Sequence, residues 1–375
     1  MKRKNIYLKV LLFSMLTLNS YGQETRLRNP ESKPDFVPVC FHYEYGYINK
    51  TGDMVVPLQF REARNFSEGL AAVKIDERWG YIDKTGKIVV PAQFNEVLDF
   101  SEGLATVNIN RKYGYIDKLG KTVIELQFAD AYSFHEGLAI VNINGKYGYI
   151  DKLGKIVIEP QFARACDFSD GLACVNTEPT NYTSTYGYIN KRGEMIIKPK
   201  YADARDFSEG LAAVWTRIDQ WVYIDKTGKE VFNKKFYWAY GFSGGVAPVK
   251  LDNGDEKVVY IDKTGEKIEI IPLQLRLAKV KGVVGVETSD GSIDYITETG
   301  KVVMKLKPHS FSPGDFSEGL AVTKEGYVDK TGNIVIPRAF EMRSSFHDGL
   351  ARVGNCVKRN AGIPGVDYPV VDYYD

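Results

Sequence analysis

No metal-ligand or phosphate-binding signature occurs in this chain, and the residues that usually build such sites are scarce. Its 375 residues include four cysteines and four histidines. No two cysteines stand as C-x-x-C and the histidines are scattered, which argues against a zinc site. A phosphate-cradling GxxxxGK[ST] loop and an HExxH pair are both missing. No apolar run reaches the about 20 residues that a membrane-spanning helix needs. An excess of one charge is missing too: 49 Lys and Arg face 48 Asp and Glu. Electrostatics therefore makes no case for nucleic acid or an anionic membrane. No cofactor and no metal are expected.

The N-terminus reads as a leader. Lys2, Arg3 and Lys4 precede a short apolar run over 10–18, and Ser20 and Gly22 suit a cut before Gln23. That pattern is a secretory signal peptide over 1–22, followed by a polar linker over 23–35. Without Lys2, Arg3, Lys4 and Lys9 the 49 basic groups become 45, against an unchanged 48 acidic ones. The expected destination is the periplasm, cell surface or extracellular space.

What the chain has in abundance is repetition. The Gly of a DKTG-type turn recurs at Gly52, Gly86, Gly120, Gly154, Gly193, Gly228, Gly265, Gly300 and Gly332. The Gly of an FSEGLA-type turn recurs at Gly69, Gly103, Gly137, Gly171, Gly210, Gly245, Gly282, Gly319 and Gly349. Two markers at one period define about nine copies over 36–353, with 354–375 as a C-terminal cap or tail. A block of this size cannot bury its own apolar face, so neighbours must do it.

Within a copy, Ala71, Val73 and Ile75 alternate with Leu70, Ala72 and Lys74, a strand period with the first column toward the core. A second strand covers 79–83, with a Gly at position 80 that marks close approach of another backbone. Asp83 to Gly86 is a turn with Gly in the left-handed region, and a third strand follows to Pro91. Asn144-Gly145 signals a two-residue hairpin. Each copy is thus an all-β, three-stranded antiparallel meander, and the tandem array is expected to form a curved β-solenoid or superhelix. The alternative is a β-propeller-like closed or partly closed array, favoured if the connector over 92–102 adds a fourth strand. Residues 36–41 can supply the first copy's missing strand. Cys166 and Cys174 flank one FSDGLA turn and are the simplest pair to bridge. Cys40 and Cys356 can meet only if the array closes, and four free thiols fit the spacing equally well.

WGYIDKTGKIVVPAQF followed by FSEGLA resembles the WG-repeat (KWG-repeat) family of bacterial proteins, although only Trp79-Gly80 is a literal WG and Tyr-Gly stands at 45, 113, 147 and 186. The resemblance covers nearly all of the chain after the leader. It implies a β-rich repeat protein, commonly exported, with no shared enzymatic activity and no catalytic residues to carry over.

Acidic residues form two columns, Glu68, Glu102, Glu136, Asp170, Glu209, Glu318 and Asp348 in one turn, and Asp83, Asp117, Asp151, Asp225, Asp262 and Asp329 in the other. Stacked carboxylates suit Ca²⁺ or acid–base work, but a short polar residue in a turn satisfies local backbone, and that reading is preferred. His135 and His347 replace the Ser of the FSEG turn without a nucleophile beside them.

Recognition is expected where copies depart from the pattern. Three of the four Trp residues lie in copies five to seven, and large aromatics fall on columns that are otherwise polar. Tyr182, Trp215, Tyr237, Trp238 and Tyr240 are the candidate partner-binding residues, with Trp221 as core. The expected function is an exported, non-enzymatic protein-binding scaffold. The alternative is glycan or cell-wall binding through Tyr182, Trp215, Tyr237 and Trp238.

Overall fold

A computed structural model describes residues 38–177, 185–216, 220–251, 258–268, 283–287, 293–297, 302–306, 317–329 and 333–360. The expected leader and linker over 1–35 lie outside them. Two compact units divide the chain: Cys40–Lys358 holds the repeats, and Met1–Val39 with Arg359–Asp375 make up the other. The described residues contain strands and turns and no helix.

The third copy shows the plan. Strands Leu104–Ile109, Lys112–Asp117 and Thr122–Phe128 form the expected meander, and a short strand at Glu96–Val97 adds a fourth member at the edge. That short strand is the connector. Asn95 N–H donates to the Asn108 carbonyl at 2.8 Å and Leu98 N–H to the Thr106 carbonyl at 2.9 Å. Sheets of four follow at Asp130–Phe162 and Arg164–Tyr201. The three-stranded meander is present in each of these sheets, and the alternative fourth strand is added wherever the connector pairs. Pairing satisfies backbone groups that the packed copies would otherwise shield from water.

The turns follow local chemistry. Asp83 Oδ1 accepts the backbone N–H of Thr85 at 2.9 Å and of Lys87 at 3.1 Å, and Gly86 sits at φ 85°. In the FSEG turn both central residues are left-handed, Glu68 at φ 53° and Gly69 at φ 90°. Ser67 and Leu70 exchange backbone hydrogen bonds across it, which makes it a two-residue hairpin of the primed kind.

Copies pack face to face, and the sheet of the second copy is buried on both sides. Leu70, Ala72, Tyr81 and Val90 of the second copy meet Ala105, Val107 and Ile116 of the third. Its other face, with Ala71, Val73 and Ile82, meets Tyr47, Val56 and Phe60 of the first. The one-sided core column read from Ala71 and Val73 is corrected accordingly. Among the described residues, a buried tyrosine in seven copies ties its copy to the next connector. Tyr47 Oη donates to the Arg64 carbonyl at 2.7 Å, Tyr81 to Leu98 at 2.7 Å, Tyr115 to Tyr132 at 2.8 Å and Tyr149 to Cys166 at 2.8 Å. The series continues from Tyr188 to Arg205, Tyr223 to Tyr240 and Tyr327 to Ser344. Each ring also meets the connector phenylalanine, as Tyr81 meets Phe100 at 4.9 Å.

The strand glycine is required by close approach. A Cβ on Gly46, Gly80, Gly114, Gly148 or Gly187 would lie 2.4–2.6 Å from a carbonyl oxygen of the third strand. Where Val222 takes this place, the third strand shrinks to a single bridge, Ile224 with Glu230. The next connector strand, Phe236–Ala239, then pairs with Gln220–Asp225 through Trp221 and Phe236. Two copies merge there into one six-stranded sheet.

The two ends of the array share a sheet in the order Met54–Phe60, Pro38–Asn49, Leu350–Asn360, Met342–His347. The first copy's missing strand comes from the C-terminal end, and residues 38–49 run as one strand instead of folding back at 36–41. Lys50 pairs with Glu318 at 2.9 Å, and Gly69 N–H donates to Asp348 at 2.6 Å. Between the open and closed arrangements, joined ends are what a closed or partly closed array requires. Cys356 is disulfide-bonded, whereas Cys166 and Cys174 are free.

Substituting Gly114→Val should cost about 3 kcal/mol or more by expelling the Thr122–Phe128 strand. Tyr81→Phe should cost about 1–3 kcal/mol, because the Leu98 carbonyl loses the hydroxyl that it accepts from. Urea denaturation of both variants measures the difference, and equal effects would contradict the close-approach account. Cys356→Ser should lower stability by about 2–4 kcal/mol, read as a thermal shift that reduction of the parent protein reproduces.

Candidate functional site

The merged sheet gathers most of the unusual aromatics. Trp215, on strand Leu211–Thr216, stands directly opposite Trp221 on Gln220–Asp225, and their rings stack at 6.1 Å with planes 18° apart. Trp238 lies 5.6 Å beyond Trp221, and Tyr240 lies 6.0 Å beyond Trp238. Trp221 is core, as expected, at 1% exposure. Trp215 and Trp238 are half-buried, so these two columns do not make the fully exposed patch that sequence suggested. Tyr237 and Tyr240 are open, at 64% and 43% exposure. Tyr182 lies outside the described residues.

Arg205 was missed by sequence reasoning. It stands where other copies carry Leu98, Tyr132 or Cys166, and its N–H donates to the Ala213 carbonyl at 2.9 Å. Its guanidinium lies 5.1 Å from the Trp221 ring, 5.5 Å from Trp238 and 5.9 Å from Tyr240. A cation held over several ring faces stabilises the cluster by about 1–2 kcal/mol. The signal was present as an Arg before Asp-Phe-Ser-Glu-Gly, but its meaning depends on which rings the merged sheet brings over it. Trp215 Nε1 and Trp238 Nε1 are shielded and find no acceptor among the described residues, and the same holds for Arg205 Nε. Three donors without acceptors beside open tyrosines make this the place where an added polar group would gain most.

A charged cluster lies alongside. His135 Nε2 is 3.5 Å from Asp167 Oδ2. Burial raises the Asp167 carboxyl above its ordinary range, opposed by His135. Burial and then Asp167 raise Asp206, opposed by Arg205 and His135. At the joined ends Asp99 is likewise raised by burial, opposed by Arg64, His347 and Arg352. No group of three or more His, Cys, Asp or Glu among the described residues could hold a metal.

The acidic turn column is structural, as preferred from sequence. Gly103 N–H donates to Glu68 at 3.0 Å, Gly137 to Glu102 at 3.0 Å and Gly245 to Glu209 at 3.0 Å, always from one copy to the next. A lysine of the neighbouring copy joins each: Lys118 to Glu68, Lys152 to Glu102 and Lys263 to Glu209. Partial burial works to raise Glu102, Glu209 and Glu318, but the lysine and the glycine N–H groups hold all three below the usual carboxylate range. Asp83, Asp225 and Asp262 are lowered by their turn threonines.

The family model for the WG containing repeat matches residues 45–79, 79–113, 113–147, 147–178, 186–214, 221–254 and 326–355, more than half of the chain. No curated protein matches the sequence. Among solved structures, a eukaryotic initiation factor is similar with a TM-score of 0.53 and 11% identity, over 84% of this chain and 98% of that one. BamB from Moraxella catarrhalis aligns with a TM-score of 0.38 and 11% identity, over 79% and 99%. The WD40 beta propeller domain of Doa1 aligns with a TM-score of 0.31 and 13% identity, over 69% and 95%. At 11% identity the likeness to the initiation factor is one of fold.

The depressed carboxyls give a signed pH dependence. Glu102, Glu209 and Glu318 contribute stability that is fully present above their unfolded range and lost as pH falls through their lower folded values. Asp99, Asp167 and Asp206 act oppositely, contributing below their unfolded range and losing it as pH rises through their raised values. In urea titrations across about pH 3–7, Glu102→Gln should flatten the acid limb and Asp206→Asn should raise stability at neutral pH. Arg205→Met should weaken the near-ultraviolet circular dichroism of the stacked indoles, and an unchanged signal would contradict the placement of Arg205.

Proposed function

Because the chain belongs to the WG containing repeat family, we propose that it is an exported, non-enzymatic scaffold that binds a protein partner at the merged sheet. The observation that carries this reading is the coincidence of three features at one place. The repeat pattern breaks at Val222, shielded indole donors lack acceptors, and Tyr237 and Tyr240 stand open beside them. Rigid aromatics with polar tips are the residues that most often anchor protein partners. The copies on either side hold the cluster on paired strands, so its geometry is set before a partner arrives and little ordering entropy is lost on binding. Carboxylates of the FSEG turns are taken up by glycine N–H groups of the next copy, which supports a structural role for that column.

Glycan binding is the second reading, favoured by the same indole donors lying next to ring faces on which a sugar could stack. Tyr237→Ala with Tyr240→Ala removes open rings without entering the core. That double variant should keep the parent's melting temperature and lose about tenfold or more in affinity for a captured, identified partner. Retained protein binding would refute the assignment of this surface. Co-sedimentation with insoluble polysaccharide, lost in the double variant, would replace the protein reading with the glycan one.

A further inference from the structure

Cys166 and Cys174 are placed to act as a pair. The register Arg164 opposite Asn176, Ala165 opposite Val175 continues by one step to Cys166 opposite Cys174. Cys166 N–H donates to the Cys174 carbonyl at 2.9 Å. Residues directly opposite in an antiparallel pair have Cα atoms about 4.5–5.5 Å apart, inside the about 4.4–6.8 Å that a disulfide spans. Both thiols are free. Their surroundings differ. Cys166 is partly open, whereas Cys174 is fully buried and donates to the Ala204 carbonyl of the next copy at 3.8 Å. The neighbouring Cys166 thiol, followed by burial, pushes the Cys174 thiol well above its ordinary range, so Cys166 is the thiol that meets an incoming reagent first.

From this register and this asymmetry we propose that Cys166 and Cys174 form a redox-closable dithiol, with Cys166 as entry thiol and Cys174 as resolving thiol, whose reagent is a small-molecule or protein disulfide. The Cys166 thiolate attacks one sulfur of the external disulfide, forming a mixed disulfide and releasing the first thiolate. Cys174 then gives its proton to solvent and attacks the Cys166 sulfur, releasing the second. Two protein thiols are oxidised to one disulfide, and one external disulfide is reduced to two thiols. Closure staples the connector to the first strand of its own copy and withdraws the Cys174 sulfur from Ala204, so the bond between copies at that point is exchanged for one within a copy.

The test uses the full chain with oxidised glutathione as the probe, followed by alkylation after unfolding and peptide mass mapping. The parent should yield a Cys166–Cys174 linked peptide that dithiothreitol reopens. Cys174→Ser should accumulate glutathione on Cys166. Cys166→Ser should react at Cys174 about tenfold more slowly or less, because a buried thiol waits for local opening. Serine is accommodated, since the same opposed positions hold Leu98 with Thr106 and Arg205 with Ala213 in other copies. Melting curves of both variants check that each is folded. Recovery of both thiols at every glutathione ratio, or equal glutathione uptake by the two folded variants, would overturn the proposal.

Discussion

A hydroxyl at the end of a buried tyrosine governs how one copy meets the next. The ring fills the space between two sheets, and the oxygen reaches a carbonyl of the connector that leads into the following sheet. Burial of such a ring is worth about 1.5–3 kcal/mol, but burial alone would allow the sheets to slide. The hydrogen bond fixes both depth and rotation, because the hydroxyl must meet one particular carbonyl. Seven copies make the same bond with 17 residues between partners. The chain thus repeats a joint as faithfully as it repeats a sheet.

A second belt of bonds runs through the FSEG turns. A glutamate in the left-handed region is uncommon, yet Glu68, Glu102, Glu136, Glu209 and Glu318 all adopt it. The conformation aims each carboxylate at the glycine N–H of the next turn, and a lysine closes the arrangement. Conformational strain within one copy is offset by contacts with its neighbour, which is why the acidic columns carry no chemistry beyond assembly.

Much of this was legible in the sequence. The period, the turn chemistry and the alternation at Ala71, Val73 and Ile75 identified an array of meanders. One fact escaped. Burial of Leu70 and Ala72 depends on a second copy covering that face, and alternation within one strand does not reveal a sheet covered on both sides. The fourth strand stood only as an alternative, because a two-residue pairing such as Glu96–Val97 leaves no periodic trace. At the aromatic site, sequence placed Trp215, Trp238 and Tyr240 among the copies that depart from the pattern. It did not show that losing the third strand lets the next connector move in, which brings Trp238 to Trp221 and places Arg205 over both. That outcome belongs to tertiary structure.

The shared terminal sheet also sets a schedule for the molecule's birth. Strand Pro38–Asn49 leaves the ribosome long before its neighbour Leu350–Asn360. Middle copies can settle against one another as they emerge, since their partners lie about one period away. The first copy cannot, and must hold an unpaired strand edge until synthesis has passed residue 360. Contacts of such long sequence separation form slowly, so this early edge is the part of the nascent chain most in need of protection from other strands.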